Sequence, residues 1–340
     1  MVAAVVTGIG GWLPPRAVPN EELAARLDSS DAWIRRRTGI RRRHFASEGM
    51  AVSDLAVEAG GRALKSAGGC DADAVVLATT TPDRPCPATA PDVATRLGLP
   101  GVAAFDVAAV CSGFVYALAT GAGLIAAGIA RRVLVIGADV FSSILDPADR
   151  STSVIFGDGA GAVVLRAGSA GEPGELGPFD LGSDGGGADL ITVPAGGSRQ
   201  RLSGAEPAPG QYYFAMAGKE VFWRAVQQMA RSAQNAVDRA GWRLEDVDHL
   251  VCHQANQRIT DHLADELGLP RARAVTNIAD VGNTAAASIP LALDQAHADG
   301  TLRTGDRVLL TAFGGGLAWG SVTLRWPAID DGRGQGGPDE

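Results

Sequence analysis

One cysteine in this sequence lies where a thiol can become a nucleophile. The segment AAFDVAAVCSGFVYALATGAG predicts a buried strand ending near Val107, with Cys111 just before a helix that begins near Ser112. At such a place the helix dipole and free N–H groups favour the thiolate, so the pattern predicts a lowered thiol pKa and nucleophilic catalysis. A buried structural cysteine is the commoner alternative, and this segment taken alone favours it.

Two further segments place a histidine and an asparagine at similar junctions. In VDHLVCHQANQRI, His253 ends a short buried strand, and in ADVGNTAAASIPL, Asn283 lies in a turn leading into an Ala-rich helix. A hydrogen-bonded structural histidine and a helix N-cap are the alternatives for these two residues. Together the Cys, His and Asn form a nucleophilic set. Papain-like proteases use the same residue types, but the CGSCW-type context of those proteases is missing.

Glycine-rich turns occur in both halves of the chain. The glycines of FGGGLAWG allow backbone N–H groups to approach a ligand, as an oxyanion hole requires. The earlier GDGAGA suggests a phosphate loop, and hence a nucleotide-binding dehydrogenase, as an alternative. That alternative is disfavoured because GDGAGA runs into the strand-like AVVL instead of opening a helix. No GxxxxGK[ST] motif occurs, so a P-loop is excluded.

The elements that must position these residues alternate along the chain. Short aliphatic runs predict strands at 2–8, 75–79, 102–107, 133–137, 161–165, 249–252, 308–313 and 320–324, and longer Ala-rich stretches predict helices at 52–67, 89–97, 112–127, 218–239, 256–267 and 285–297. This alternation predicts a layered α/β fold with buried central strands. A segment rich in Gly, Pro, Ser and Ala over 166–211 divides two stretches that end alike, in GDGAGAVVL and FGGGLAWGSVTL, which suggests an internal duplication.

Composition excludes several classes of protein. The chain has 340 residues, 46% of them hydrophobic, and a net charge of -8, which indicates a globular protein and disfavours nucleic-acid binding. Its four cysteines include no CxxC pair, so neither a zinc site nor a disulfide framework is predicted. No signal peptide or membrane span is predicted either. These features together favour a cytoplasmic protein.

Five motifs carry a family resemblance. DVAAVCSGF, HQANQRI, GNTAAASIP, GDGAGAVVL and AFGGGLAWGS together resemble the β-ketoacyl-acyl-carrier-protein synthase III family, from the first strand to about Trp326. The resemblance implies a thiolase-like five-layered αβαβα fold, a homodimer, and two duplicated halves, which we place at 1–170 and 171–327. The polar, Gly-rich tail at 328–340 is predicted to be disordered.

The resemblance also implies a reaction. Cys111 would take an acyl group from acyl-CoA as a thioester, while His253 and Asn283 would hydrogen-bond the thioester carbonyl of malonyl-acyl carrier protein as it loses CO2. The resulting carbanion would attack the acyl group, whose oxyanion the N–H groups of Cys111 and Gly315 would hold. The product is a β-ketoacyl carrier protein. No cofactor is expected, because acyl-CoA is a substrate.

Two alternatives within the same fold remain at this point. An acyltransferase would use Cys111 without decarboxylation, but such relatives tend to replace the asparagine, and Asn283 can donate a hydrogen bond that an aspartate cannot. A non-catalytic scaffold that binds acyl-CoA is disfavoured by the complete set of Cys111, His253 and Asn283.

Binding residues follow from the resemblance as well. Trp33 would stack on the CoA adenine and Arg37 would contact its phosphates, with further residues of the CoA site at Arg150, Asn256 and Arg258. Cys86 stands where the common fatty-acid form carries a bulky aromatic that closes the partner's acyl pocket. Other pocket positions stay bulky, namely Phe141, Phe156, Phe214 and Phe313. We expect a pocket that accepts acyl groups beyond acetyl, as in a starter-unit synthase of polyketide assembly or a fatty-acid initiator.

Overall fold

Thirteen strands and ten helices build the part of the chain that the computed structural model describes, residues 2–329. In chain order the strands are β1 (Val2–Trp12), β2 (Arg16–Pro19), β3 (Arg42–Phe45), β4 (Ala74–Ala78), β5 (Ala103–Val107), β6 (Arg132–Asp139), β7 (Gly159–Ser169), β8 (Leu176–Ser183), β9 (Ile191–Thr192), β10 (Ala215–Met216), β11 (His249–Cys252), β12 (Arg307–Gly314) and β13 (Ala318–Arg325). The helices are α1 (Asn20–Ala24), α2 (Asp31–Thr38), α3 (Val52–Ser66), α4 (Ala90–Arg96), α5 (Gly113–Ala126), α6 (Ser198–Arg201), α7 (Gly218–Arg239), α8 (Gln257–Glu266), α9 (Ile278–Val281) and α10 (Ser288–Ala298).

Two mixed sheets form the centre of the molecule. The first has the strand order β1-β7-β6-β4-β5, and the second has the order β8-β13-β12-β11. In the first sheet β4 runs parallel to β5 and β6, while β7 is antiparallel to both of its neighbours. In the second, β11 runs parallel to β12, and β13 is antiparallel to both of its neighbours. The second sheet therefore repeats the first without its fifth strand.

The duplication extends to the register of the ladders. β6 pairs with β7 from Arg132↔Arg166 to Asp139↔Gly159, and β12 pairs with β13 from Arg307↔Arg325 to Gly314↔Ala318. Both ladders contain eight pairs, so Asp139 and Gly314 occupy the same place in the two halves. The internal duplication predicted from the sequence is confirmed.

Helices cover both faces of each sheet. α3 and α4 pack on the outer face of the first sheet, α5 and α10 lie between the sheets, and α7 with α8 covers the second sheet. This gives five layers in the order αβαβα, as the predicted fold requires. α5 carries no charged residue because it lies between two apolar sheets, and β4, with the sequence AVVLA, is buried along its whole length.

The segment 166–211, which was predicted to divide two similar stretches, also contributes a strand to the second sheet. It contains β8, which pairs with β13 at the edge of the second sheet. Its sequence LGPFDLGS holds the Gly and Pro that are typical of loops, and an edge strand tolerates both because one side of its backbone stays unpaired. The first sheet ends at Ser169 and the second begins at Leu176. Of the tail predicted to be disordered, residues 330–340 lie outside the described residues. None of the described helices has the length and apolar character needed to cross a membrane.

Candidate active site

Cys111 lies in a strained turn between β5 and α5. A 3-10 turn spans Val110–Ser112 and runs directly into α5. Val110 has a φ of +47°, in the left-handed region that β-branched residues avoid at a cost of about 1–3 kcal/mol. The Cys111 side chain is buried, and its backbone N–H lies in the first turn, where no intrahelical acceptor is available.

Two glycines from the second half pack closely against this turn. A Cβ atom added to Gly314 would lie 2.8 Å from the backbone nitrogen of Cys111, so only glycine allows this approach. A Cβ atom on Gly315 would lie 3.2 Å from Cγ2 of Val110. The backbone of 314–315 therefore lies against the nucleophile turn, as an oxyanion hole shared between the two segments requires.

Asn283 is held by a turn that precedes α10. Its backbone N–H donates to the carbonyl of Ile155 at 2.9 Å, and its carbonyl accepts from the N–H of Gly157 at 2.9 Å. Its side-chain Oδ1 accepts from the N–H of Ala285 at 2.9 Å. Since the carboxamide oxygen is used in this way, the NH2 group is left as the donor. Asn283 does not cap α10 directly, because that helix begins at Ser288.

His253 follows β11 and is almost fully buried. Its Nδ1 lies 2.6 Å from Oγ of Ser288, and the N–H of Gln254 donates weakly to the same oxygen at 3.4 Å. The Ser288 hydroxyl can donate its proton to Nδ1, and in that pairing the ring proton of His253 is on Nε2. Burial lowers the pKa of His253 to about 3, so the imidazole is neutral at physiological pH.

One short segment brings these residues together. Ala285 packs in the same apolar cluster as Cys111, and its N–H binds the Asn283 side chain. Three residues further on, Ser288 binds His253. The turn at 283–288 therefore links Asn283 and His253 to the surroundings of Cys111, although the three residues come from different elements and from both halves.

The expectation of a lowered thiol pKa at Cys111 was wrong for this structure. Burial raises the pKa of the Cys111 thiol well above its usual range, and the nearby carboxylate of Asp139 raises it further. A helix dipole contributes about 0.3–2 kcal/mol, which the loss of hydration outweighs here. Burial therefore favours the neutral thiol form of Cys111 in this structure. Cys252, predicted to point into the core, is fully buried in the outer cluster of the second half, and burial raises its pKa to about 11.

Two polar residues of the site were missed by sequence reasoning. Ser288 lies within the motif GNTAAASIP, but nothing in one sequence marks it as the partner of His253. Asp139 ends β6 and is fully buried, with the N–H of Ala286 donating to it at 3.0 Å. Burial raises its pKa to about 6. Its contacts are distant in sequence, so no local signal reveals it.

The residues predicted to bind CoA line one cavity. Its volume is about 480 Å³, and its walls include all five of them, Trp33, Arg37, Arg150, Asn256 and Arg258. The guanidinium groups of Arg37 and Arg150 lie over the Trp33 ring, 5.3 and 5.1 Å from its centre. Ile155 lies in the cavity wall and also packs against the cluster around Cys111. The cavity therefore adjoins the apolar cluster that contains Cys111.

Asn256 has a defined structural part in this cavity. Its Oδ1 accepts from the N–H of Arg258 at the start of α8, and its Nδ2 donates to the carbonyl of Arg37 at 3.1 Å. Arg258 lies over the ring of Phe222, 5.7 Å from its centre. Asn256 thus joins α2 of the first half to α8 of the second across the cavity wall.

Three of the predicted acyl-pocket residues pack beside Cys111. Phe141 and Phe156 stack with ring centres 4.2 Å apart, and Phe214 meets both edge-on, at 5.0 and 5.1 Å. The structure does not bring the other two to this place. Phe313 packs in the outer cluster of the second half, beneath α7, because alternate residues of β12 face opposite layers. Cys86 is exposed, next to a surface cavity lined by Arg84 and Pro87.

The two duplicated halves, with a buried cysteine turn where they meet, define a thiolase-like fold. Family models for 3-oxoacyl-[acyl-carrier-protein] synthase III match residues 105–185, and for its C-terminal part residues 237–326. A β-ketoacyl-[acyl-carrier-protein] synthase III of Streptomyces coelicolor is 67% identical over 330 residues, which cover 96% of this chain and 98% of that protein.

Solved structures agree with this match. The crystal structure of 3-oxoacyl-(acyl carrier protein) synthase III from Pseudomonas aeruginosa superposes with a TM-score of 0.91 at 55% identity, covering 96% of this chain and 99% of that one. The priming β-ketosynthase of the R1128 polyketide pathway superposes with a TM-score of 0.89 at 36% identity, covering 96% of each chain. This chain therefore belongs to the β-ketoacyl-acyl-carrier-protein synthase III family. It is a decarboxylating condensing enzyme, and enzymes of this type use acyl-CoA and malonyl-acyl carrier protein.

Proposed function

We propose that Cys111 carries the acyl group in this enzyme and that His253 and Asn283 drive the decarboxylation. The observation that carries this proposal is the turn at 283–288, which binds both donors and packs against the cysteine. The thiol and the two neutral donors are sufficient for the chemistry, so the reaction needs no cofactor beyond its substrates.

In the first step the Cys111 sulfur attacks the thioester carbonyl of acyl-CoA. The new S–C bond forms as the bond to the CoA sulfur breaks, and the thiol proton ends on free CoA. Because burial disfavours both thiolate and imidazolium here, proton transfer accompanies attack. The N–H groups of Cys111 and Gly315 bind the tetrahedral oxyanion, which is worth about 3 kcal/mol per donor in comparable sites.

In the second step malonyl-acyl carrier protein replaces CoA. The bond to the carboxylate breaks, CO2 leaves, and the electron pair forms an enolate whose oxygen accepts hydrogen bonds from Nε2 of His253 and Nδ2 of Asn283. The enolate carbon then attacks the acyl carbonyl, and the bond to the Cys111 sulfur breaks. Neutral donors suit this step because a charged imidazolium in a buried site would cost more to maintain.

The cavity around Trp33 would receive CoA and then the phosphopantetheine of the carrier protein. Planar guanidinium groups both stack on an adenine and bind phosphate in pairs, so Arg37 and Arg150 suit the nucleotide end. Asn256 and Arg258 lie at its second-half wall, toward the pantetheine arm. Basic residues at this opening also attract an acidic carrier protein.

The acyl pocket and the pathway are proposed together. The cluster of Phe141, Phe156 and Phe214 sets the pocket beside Cys111, and in a homodimer the loop at 84–90, which is exposed over 84–88, would approach the partner's pocket. A small residue at Cys86 leaves that pocket longer than acetyl requires. The enzyme would then prime polyketide or fatty-acid synthesis in the cytoplasm. The relative from the R1128 polyketide pathway supports the first of these uses.

Intact-mass spectrometry tests the proposal directly. Incubation with a series of acyl-CoAs is expected to add one acyl mass, mapped by digestion to Cys111, and addition of malonyl-acyl carrier protein is expected to discharge it with release of one CO2. Acylation without CO2 release would instead indicate an acyltransferase. Acceptance of acetyl alone would remove the longer pocket, and Cys86→Phe is expected to shorten the accepted chain.

A further inference from the structure

A fully buried carboxylate joins three segments behind the active site. Oδ1 of Asp139 accepts from the backbone N–H groups of Thr80 and Thr81, at 2.7 and 3.2 Å, and from the hydroxyl groups of Thr79 and Thr81, at 3.3 and 3.1 Å. Oδ2 accepts from the N–H of Ala286 at 3.0 Å. Among the described residues no cation pairs with Asp139, so these hydrogen bonds alone stabilise its charge.

The Ala286 contact lies at the centre of the turn that carries Asn283. Ala285, the preceding residue, has a φ of +47° and donates its N–H to the Asn283 side chain. Such a backbone conformation persists only where the surroundings hold it. A carboxylate hydrogen bond is roughly twice as strong as a neutral one, which makes Asp139 suitable for this purpose.

We propose that Asp139 is a positioning residue that holds the Asn283 turn in the geometry required for decarboxylation, an inference that rests on the proposed function of Asn283. The carboxylate fastens the turn to the end of β4 through Thr79–Thr81. All five of its hydrogen bonds come from the protein, four to Oδ1 and one to Oδ2, and the side chain is fully buried behind the turn, away from any substrate. It therefore acts through the turn and not as a base.

The pseudo-equivalent residue supports this role. Gly314 occupies the same ladder position in the second half, and a Cβ atom there would lie 2.8 Å from the backbone nitrogen of Cys111, whereas Asp139 accepts a hydrogen bond from the N–H of Ala286. At the Ala286 position the protein supplies a carboxylate that binds the N–H. At the Cys111 position it supplies glycine, which has no side chain to bind the N–H.

Asp139→Asn tests the proposal, because it keeps the side-chain size but places an NH2 group against N–H donors. Decarboxylation of malonyl-acyl carrier protein, measured without an acyl donor, is expected to fall at least 10-fold, since a misplacement of about 1 Å can cost 10²-fold. Acylation of Cys111 by acyl-CoA, measured in a single turnover, is expected not to fall, because losing the Asp139 charge removes one of the two causes that raise the pKa of the Cys111 thiol. Asp180→Asn is the matched control. It also removes a buried carboxylate, but this carboxylate pairs with Arg239, and the variant is expected to change neither rate.

Either of two results would overturn the proposal. One is wild-type decarboxylation in Asp139→Asn, and the other is an equal fall of acylation and decarboxylation, which indicates general support of the fold. Should Asp139→Asn fail to fold, Thr81→Val removes one hydroxyl donor to the carboxylate and is expected to slow decarboxylation alone by about 3-fold. Asn283→Ala separates the two proposals. If it leaves decarboxylation unchanged, the role of Asn283 itself is wrong.

Discussion

The turns at Cys111 and at Asn283 are two copies of one structure. Each is a 3-10 turn that leads into a helix of the central layer, and each contains a non-glycine residue with a φ of +47°, Val110 in the first and Ala285 in the second. Each is also approached by the last residue of a strand from the opposite half. The two turns differ in what meets the N–H that follows the left-handed residue.

At the Cys111 turn a glycine meets that N–H, and at the Asn283 turn a carboxylate does. Gly314 places no side chain against this N–H and permits close approach, whereas the Asp139 side chain fills the equivalent place. Under the proposed function, the duplicated turn serves once as a site for a substrate oxyanion and once as a fixed support for a hydrogen-bond donor. One backbone geometry would then serve acylation on one side and decarboxylation on the other.

The largest expected effect separates the two turns. Cys111→Ala is expected to abolish acylation while leaving decarboxylation of malonyl-acyl carrier protein measurable. Asn283→Asp is expected to lower decarboxylation by about 10²–10³-fold, because a carboxylate offers no donor to the enolate, while leaving acylation of Cys111 intact. Mass spectrometry and CO2 release measure the two steps separately. Condensation at the wild-type rate in Asn283→Asp would falsify the division of labour.

A smaller effect concerns the pH dependence of stability. The residue equivalent to His253 in the first half is Ala78, so only the second half carries a buried imidazole here. Because the folded pKa of His253 is about 3 and the unfolded value about 6.5, the unfolded chain takes up the proton first as pH falls. The free energy of unfolding should therefore fall by about 2 kcal/mol more in wild type than in His253→Asn between pH 7 and pH 5.

Urea unfolding of both proteins at the two pH values measures this difference. Because the pKa of the Asp139 carboxyl is raised to about 6 in the folded protein, its protonation increases the free energy of unfolding as the pH falls over the same range. Both proteins retain Asp139, so this contribution cancels when wild type is compared with His253→Asn. Equal pH dependence in the two proteins would show that His253 is solvated or charged in the folded state.

Ser288→Ala is expected to have a more moderate effect on the Asn283 side. It removes the hydroxyl that fixes the Nδ1 position of His253, so decarboxylation is expected to fall by about 10-fold, equivalent to one hydrogen bond of about 1.4 kcal/mol. Ser288→Thr restores the hydroxyl and is expected to recover part of the rate. A steady-state comparison of kcat and KM checks the role, since loss of positioning lowers kcat with KM little changed.

The smallest expected effect lies on the Cys111 side. Phe214→Leu reduces the aromatic cluster beside Cys111 and is expected to raise the preference for longer over shorter acyl-CoAs by about 3-fold, since a buried CH2 contributes about 0.8 kcal/mol. Phe313→Leu is the matched control, because this ring packs in another cluster. Competition between two acyl-CoAs, read by intact mass, gives the ratio. A change of the acyl-CoA preference in the control but not in Phe214→Leu would show that the pocket lies on the other face of β12.

Much of the fold was predictable because its pattern is local. The helices predicted at 52–67, 112–127 and 218–239 are observed as Val52–Ser66, Gly113–Ala126 and Gly218–Arg239. Buried central strands such as β4 consist of continuous aliphatic residues, which a sequence displays directly. β8 was not predicted, because an edge strand with Gly and Pro has no local pattern that distinguishes it from a loop.

For the candidate site, the sequence by itself determined which residues are the candidates for catalysis, since Cys111, His253 and Asn283 each lie in a short, recognisable motif. Only the tertiary structure decided their state. Burial and contacts between residues far apart in the chain set the direction of the Cys111 pKa shift. They also set the contact of Ser288 with His253 and the hydrogen bond from Ala286 to Asp139. Hydration and hydrogen bonding are set by the atoms that surround a group in space, so neighbours in sequence could not determine them.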